Sequence, residues 1–438
     1  MKKQITAVLG AAMLLLTATG CAGDSSSEAE TTAAVTTTTT EATTTAPPAP
    51  IEVEHDSTWK KADPELGLKT LDLGWTTDEM ITNSILQVGD RTRLANVMKK
   101  AKGGQGITIG VIGGSITQGT GASGSTENYA YYNMAWWFKT FPTAAAYFNT
   151  VNAGIGATGS YIGVHRVERD LLSKKPDIVV VEFSVNDTDP ARDEKSYEAL
   201  VSRILAQDNN PAVILLFTTQ EDGTSLVDTH RKIGEKYNLP MISYKNAVLP
   251  QIQAGHFKWT DISPDNIHPN SNGHGIIGEL LWSYYNSVYA DLDNINTDDL
   301  TVEGLETEGF QYADAHIEDS NSLEVSGEPK GFAKAEINQN FPHNYATEEA
   351  GEITFTVTGS NIGVLYQRTI DGKSGQYDVY VDGELVKTLD GNFENGWGNY
   401  AEAAEVYTSW AAVPHEVTVK MADSSKAPGF QLLGLLVS

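Results

Sequence analysis

Between residues 77 and 293 the chain alternates short apolar runs with stretches of helical spacing. Ile107, Ile109, Val111 and Ile112 form a β-branched run that ends at Gly113-Gly114-Ser115. Phe148 to Val151, the IVVVEFSV segment after Pro176-Asp177, Ala212 to Phe217, and Pro240 to Tyr244 repeat the pattern. Strands apolar on both faces belong to parallel sheets covered on each side. The intervening segments predict helices over Arg91 to Lys102, stopped by Gly103-Gly104, and over Glu127 to Thr140, Val164 to Leu172, Tyr197 to Ala206, Leu226 to Tyr237 and His274 to Tyr289. Strand-helix alternation of this kind predicts an α/β fold with a doubly wound parallel sheet.

After residue 294 the period changes from helical to two. ITFTVT (353–358), QYDVYVDGELVKTL with Asp382-Gly383 as its turn, His415 to Met421 and Phe430 to Val437 read as short strands. A run of strands without helices predicts a C-terminal antiparallel β-sandwich over 294–438. Residues 51–76 are less regular. IEVEH alternates like a strand and LGLKTLDLGW resembles another, so 51–76 is expected to be an N-terminal extension with β character. A chain of 438 residues fits two folded units plus tails.

Composition narrows the partners. A formal charge of −27 disfavours nucleic acid, which binds through Lys and Arg. The chain has one cysteine, Cys21, so neither an internal disulfide nor a Cys-based metal site can form. Lys2 and Lys3 precede an apolar run from Ile5 to Leu16, then small residues lead to Cys21. This is the pattern of a secretory signal, too short to span a bilayer comfortably. Ala18-Thr19-Gly20-Cys21 also resembles a bacterial lipoprotein signal, which implies lipidation at Cys21 after removal of residues 1–20. Residues 21–50 are rich in Thr, Ala, Ser, Glu and Pro and are expected to be a disordered tether. The expected location is therefore outside a bacterial cell, on the outer face of its membrane, with the lipid at Cys21 as the sole membrane contact.

The glycine turn after the 107–112 run is where the chemistry is expected. Open α/β sheets bind ligands beyond the carboxyl ends of their strands, so Ser115 is a candidate nucleophile. Four stretches then stand in order: Gly113-Gly114-Ser115-Ile116-Thr117, Asn152-Ala153-Gly154-Ile155-Gly156-Ala157-Thr158, Ser184-Val185-Asn186-Asp187, and Asp265-Asn266-Ile267-His268-Pro269. Together they resemble the blocks of the SGNH (GDSL-type) hydrolase superfamily, over roughly residues 107 to 290. Gly114 stands where that family commonly has aspartate, and Ser184 where it commonly has glycine.

The resemblance implies an SGNH/flavodoxin-like sheet and a serine esterase needing no cofactor. Ser115, His268 and Asp265 would be nucleophile, base and orienting carboxylate, since a serine hydroxyl attacks only when a base removes its proton. The oxyanion donors would be the Ser115 N–H, the Asn186 side-chain amide and a backbone N–H of the second block. Gly156 is the choice for the last, with Gly154 and Ala157 left open by the alignment of that block. Asp261 is an alternative orienting group. His165 is expected on a helix face, His274 at a cap or surface, and Glu168, Glu182 and Asp187 in structural roles. No His/Cys/Asp cluster has metal-ligand spacing.

Export, tethering and an appended β-rich domain tilt the substrate toward carbohydrate. O-acetyl esters of a plant polysaccharide or oligosaccharide, xylan or mannan, are the expected substrate. Lipid or aryl esters and thioesters are the alternatives, as is glycan binding by a vestigial enzyme. Trp397, Tyr400 and Trp410 fall near predicted loops of the β domain, where they either stack on sugars or fill its core.

Overall fold

A computed structural model describes residues 53–306, 308 and 310–438. The expected signal peptide, Cys21 and the tether lie outside these residues. Helix α1 (Asp78–Ser84) and strand β1 (Ile85–Gln87) lead into α2 (Thr92–Lys102) and β2 (Thr108–Gly113). Then come α3 (Ser115–Gln118), α4 (Tyr129–Thr140), β3 (Asn149–Gly154), α5 (Ser160–Asp170), β4 (Ile178–Glu182) and α6 (Pro190–Leu205). Strand β5 (Ala212–Phe217), α7 (Val227–Lys236), β6 (Met241–Ser243), α8 (Tyr244–Gln253), α9 (Trp259–Ile262) and α10 (Ser271–Ala290) complete this half.

The six strands run in the order β1-β6-β5-β4-β2-β3, parallel except for β1, which pairs antiparallel with β6. β2, β4 and β5 are buried at every position, as their apolar runs predict. From β2 the chain steps outward to β3, then crosses back to β4 on the other side of β2. Strand order therefore reverses between β2 and β4, and a doubly wound sheet opens its crevice at such a point. Ser115 follows β2 and Asn186 follows β4, so both stand at this crevice.

Helix starts differ from the periodic pattern where capping decides. α6 begins seven residues early, at Pro190, because Asp189 accepts the N–H groups of Ala191 and Arg192 and proline needs no donor in the first turn. The β character expected of 51–76 is absent: residues 53–76 hold one short 3₁₀ turn, Pro64–Leu66, and no strand. The first residues bond α8 and β1, through Asn246 to the Glu54 carbonyl and the Asp56 N–H to the Ile85 carbonyl, and the rest reaches α10, where Glu279 accepts the Leu73 N–H and Asn286 donates to the Lys69 carbonyl.

The C-terminal half is a nine-stranded antiparallel sheet: β7 (His316–Glu318), β8 (Glu324–Val325), β9 (Ala333–Ala335), β10 (Asn344–Thr347), β11 (Glu352–Arg368), β12 (Gln376–Val381), β13 (Glu384–Asp390), β14 (Tyr400–Met421) and β15 (Phe430–Val437). β11 pairs with β14 along its length, with β8 beside its first part and β15 beside its second. The β12–β13 turn has Asp382 and Gly383 at φ 52° and 85°, the left-handed pair that a two-residue hairpin requires.

The two halves share apolar packing. Tyr161 and Val164 of α5 lie in one cluster with Tyr312, Leu365, Leu433 and Leu436. The Tyr161 hydroxyl donates to Asn361 Oδ1 at 3.3 Å, and a Cβ on Gly363 would lie 2.3 Å from that hydroxyl. Arg203 of α6 donates to the Ala315 carbonyl at 2.6 Å, and Ser202 to the Glu306 carbonyl at 2.8 Å. Residues 294–315 are thus a connector laid on the α/β half, and the sheet starts at His316.

Candidate active site

Ser115 opens the four-residue helix α3, directly after β2. The tight turn before it needs small residues: a Cβ on Gly113 would meet the Glu182 carbonyl at 2.3 Å, and one on Gly114 would meet Asn186 Oδ1 at 2.0 Å. Ser115 is 9% exposed, in a nearly closed setting.

The Ser115 hydroxyl lies 2.9 Å from His268 Nε2, across 153 positions of sequence. His268 Nδ1 lies 2.8 Å from Asp265 Oδ2. A carboxylate can only accept, so Nδ1 carries the ring proton and Nε2 is free to accept from the serine. Asp265 Oδ1 also accepts the N–H groups of Ile267 and His268 at 2.8 and 2.7 Å. Burial by itself would raise the Asp265 pKa, but these bonds outweigh it and hold the carboxyl below its usual range.

The loop that carries this pair is pinned by residues outside the four blocks. Ser263 donates to the Asp265 or His268 carbonyl, each 2.6 Å away, and Trp259 Nε1 donates to the Asp265 carbonyl at 2.6 Å. Gly121, at φ 93°, lets the loop after α3 touch this one: a Cβ there would lie 2.2 Å from the Pro269 carbonyl. Asp261 is elsewhere, capping its own short helix through the Lys258 N–H.

Asn186 follows β4 and rests against Gly114. Its Oδ1 is buried without a hydrogen-bond partner among the described residues. Asp187 fixes the turn: its Oδ1 accepts the Ser160 N–H at 2.7 Å, and its Oδ2 lies 2.9 Å from His230 Nε2.

In the second block two glycine N–H groups have partners. The Gly154 N–H donates to Asn152 Oδ1 at 2.9 Å, and the Gly156 N–H to Gln118 Oε1 at 3.0 Å. Gly156 does lie beside the serine, since a Cβ on it would be 3.9 Å from Ser115 Cβ. Its donor is nevertheless occupied. Ala157 is the residue of this block whose N–H makes no bond within the described residues, and it holds φ 59°. A left-handed alanine costs about 1 kcal/mol, and such strain concentrates at functional sites.

Two buried groups brace the site from beneath. Arg166 donates to the Gly113 carbonyl at 2.9 Å, the Ala153 carbonyl at 2.6 Å and Thr158 Oγ1 at 3.3 Å. Glu182, fully buried at the end of β4, accepts from Thr117 at 3.1 Å and Thr218 at 2.7 Å. Burial raises its pKa from 4.5 to about 7, against the lowering effect of those two hydroxyls. The folded state therefore keeps a proton that the unfolded chain loses between pH 4.5 and 7, and Glu182 costs stability as pH rises through that window. Glu182→Gln removes this cost, while both threonine hydroxyls can rotate to suit an amide. The melting temperature of the variant relative to the parent is expected to rise from pH 5 to pH 8; a constant difference would refute the buried charge.

His165 stands on helix α5 and is buried there, and His274 is buried in the first turns of α10 rather than placed on a surface. His165 Nδ1 lies 2.7 Å from the Tyr161 carbonyl, and His274 lies between the Tyr129 N–H and the Thr120 carbonyl. Burial lowers the pKa of each, to about 3 and about 4. Trp397 is 70% exposed and stacked on half-buried Tyr400, and Trp410 is fully exposed, so the two tryptophans do not fill the β-domain core. Among the described residues no group of three or more His, Cys, Asp or Glu is placed to hold a metal ion.

The GDSL-like lipase/acylhydrolase family matches over residues 111–276. A two-domain esterase (CEX) active on acetylated mannans, co-crystallised with mannopentaose, is 31% identical with a TM-score of 0.73, covering 82% of this chain and 97% of its own. A second structure of a two-domain esterase (CEX) active on acetylated mannans is 32% identical with a TM-score of 0.72, covering 82% and 98%. No curated protein matches. The family match spans all four blocks and the structural likeness spans both halves of the molecule; this chain belongs to the GDSL-like (SGNH) hydrolases and is an ester hydrolase.

Proposed function

We propose that this enzyme removes O-acetyl groups from plant polysaccharide, with acetylated mannan ahead of acetylated xylan, through an acetyl-serine on Ser115. The observation that carries the chemistry is the relay Ser115–His268–Asp265, hydrogen-bonded at 2.9 and 2.8 Å beside unpaired donors. Likeness over both halves to esterases active on acetylated mannans supports the choice of sugar. The exposed Trp397 and Trp410 offer faces on which a sugar ring can stack.

His268 Nε2 takes the Ser115 proton as Oγ attacks the acyl carbon. Asp265, its carboxyl held ionised, orients the ring and stabilises the imidazolium. The oxyanion is met by the N–H groups of Ser115 and Ala157 and by the Asn186 amide. Collapse of the tetrahedral species breaks the bond to the sugar oxygen, which takes its proton from His268. Water, deprotonated by the same imidazole, then releases acetate.

Acetate release from acetylated mannan and acetylated xylan, beside a chain-length series of 4-nitrophenyl esters, tests the substrate. Fastest release from mannan with a sharp preference for acetyl is expected. Activity that climbs with acyl length, without release from either polysaccharide, would overturn the carbohydrate reading and leave a lipid or aryl esterase.

A further inference from the structure

The loop 154–158 is fastened to its surroundings unevenly. From beneath it is held by the fully buried Arg166, through the carbonyls of Gly113 and Ala153 and the hydroxyl of Thr158. From the nucleophile's helix it is reached by Gln118, the last residue of α3, whose exposed side chain folds back so that Oε1 accepts the Gly156 N–H at 3.0 Å. One residue earlier the Thr117 carbonyl accepts from Asn152 at 2.9 Å, at the end of β3. Of these, Gln118 alone bonds the residue before Ala157, while Arg166 reaches the residue after it.

Within the loop the Ile155 N–H donates to the Gly113 carbonyl, and the Thr158 N–H and hydroxyl donate to the Ile155 carbonyl at 3.3 and 2.8 Å, so among the described residues Gln118 is the one hydrogen-bond partner of the Gly156 and Ala157 N–H groups between them. Glycine explores φ more widely than any other residue, so an unanchored Gly156 lets the following peptide turn. The absence of a side chain at 156 also serves the contact, since a Cβ there would lie 2.9 Å from Gln118 Oε1. Ala157 sits in a strained left-handed conformation and needs neighbours that hold it there.

We infer that Gln118 is a positioning residue for the oxyanion site: its carboxamide oxygen, by holding the Gly156 N–H, fixes where the Ala157 N–H points relative to Ser115. The inference rests on the roles given above to Ser115 and Ala157. It assigns Gln118 no contact with the reacting atoms. Its effect is on kcat, because a misaimed donor weakens the transition state more than the bound ester.

Gln118→Met keeps the length and removes the acceptor. Gln118→Glu keeps an acceptor oxygen at the same reach, and at an exposed side chain its charge acts through high-dielectric solvent, which keeps its repulsion of the oxyanion small. On 4-nitrophenyl acetate, Gln118→Met is expected to lose about tenfold in kcat, less than outright removal of a donor, with KM within about twofold. Its melting temperature is expected to match the parent, as the side chain is exposed. Gln118→Glu is expected to stay within about threefold of the parent kcat.

An unchanged kcat in Gln118→Met, a change confined to KM, a marked loss of melting temperature, or an equal kcat loss in both variants would each overturn the inference. Ser115→Ala, assayed alongside, separates the two layers. Its inactivity beside a fully active Gln118→Met sinks the Gln118 role alone, whereas an active Ser115→Ala sinks the reading beneath it.

Discussion

Ser115→Ala is expected to lower kcat on 4-nitrophenyl acetate by on the order of 10⁴-fold or more, with the melting temperature close to that of the parent. The size follows from what the hydroxyl does. It forms and breaks the covalent bond to the acyl group, and no other nucleophile lies at hydrogen-bond distance from His268 Nε2 among the described residues. What survives is the contribution of the oxyanion donors and of binding, acting on water instead of serine. Stability should hold because, among the described residues, the hydroxyl's sole bond is to a partly exposed loop histidine, and alanine suits the first turn of α3. Stopped assays of purified variant and parent, with thermal melts on the same samples, check both halves of the expectation.

Asn186→Ala ranks second, with an expected loss of about 10²–10³ in kcat and little change in KM. The amide is aimed before substrate arrives. It follows a strand buried at all positions, its turn is tied down by Asp187, and its oxygen is pressed against Gly114. The Nδ2 donor therefore costs no reorganisation when negative charge develops on the acyl oxygen. A loss expressed mainly in KM would instead make Asn186 a ground-state binding group. Retention of full activity would remove it from the oxyanion site.

Most of the α/β half was legible because its signals are local. The apolar runs at 107–112, 178–182 and 212–217 became fully buried strands, and the turn glycines before Ser115 mark the crevice. The distance from Ser115 to His268 was accessible only through the order of the four blocks, since periodicity cannot bring loops together. What failed was tertiary in origin. Among the described residues the alternation in 53–76 found no partner strand, and its leucines Leu71 and Leu73 cover α10 instead. The short edge strand β1 depends on pairing with β6, which its three residues do not announce. The alignment of the second block leaves Gly154, Gly156 and Ala157 open, and that the Gly156 N–H is taken by a side chain 38 positions away is not announced by any local pattern. Ser263, Trp259 and Arg166 were missed for the same reason: each acts by bonding to a distant carbonyl, and no pattern in sequence marks a carbonyl that needs a donor. The capping pair Asp189-Pro190 was readable and would have placed the start of α6 correctly.

Docking of the β domain also bears on the chemistry. Helix α5 packs one side against Leu433 and Leu436, while its Arg166 braces the strand ends that carry Ser115 and the 154–158 loop. The domain therefore supports the helix behind the site, whatever its aromatic faces bind.

The covalent intermediate is the shortest route to the central claim. Acid quenching during turnover of an acetyl ester, followed by peptide mass spectrometry, should place one acetyl group on the peptide that contains Ser115, absent from the Ser115→Ala variant. Acetate produced at the parent rate with no acetylated Ser115 peptide, or with the acetyl group carried by another residue, would contradict it.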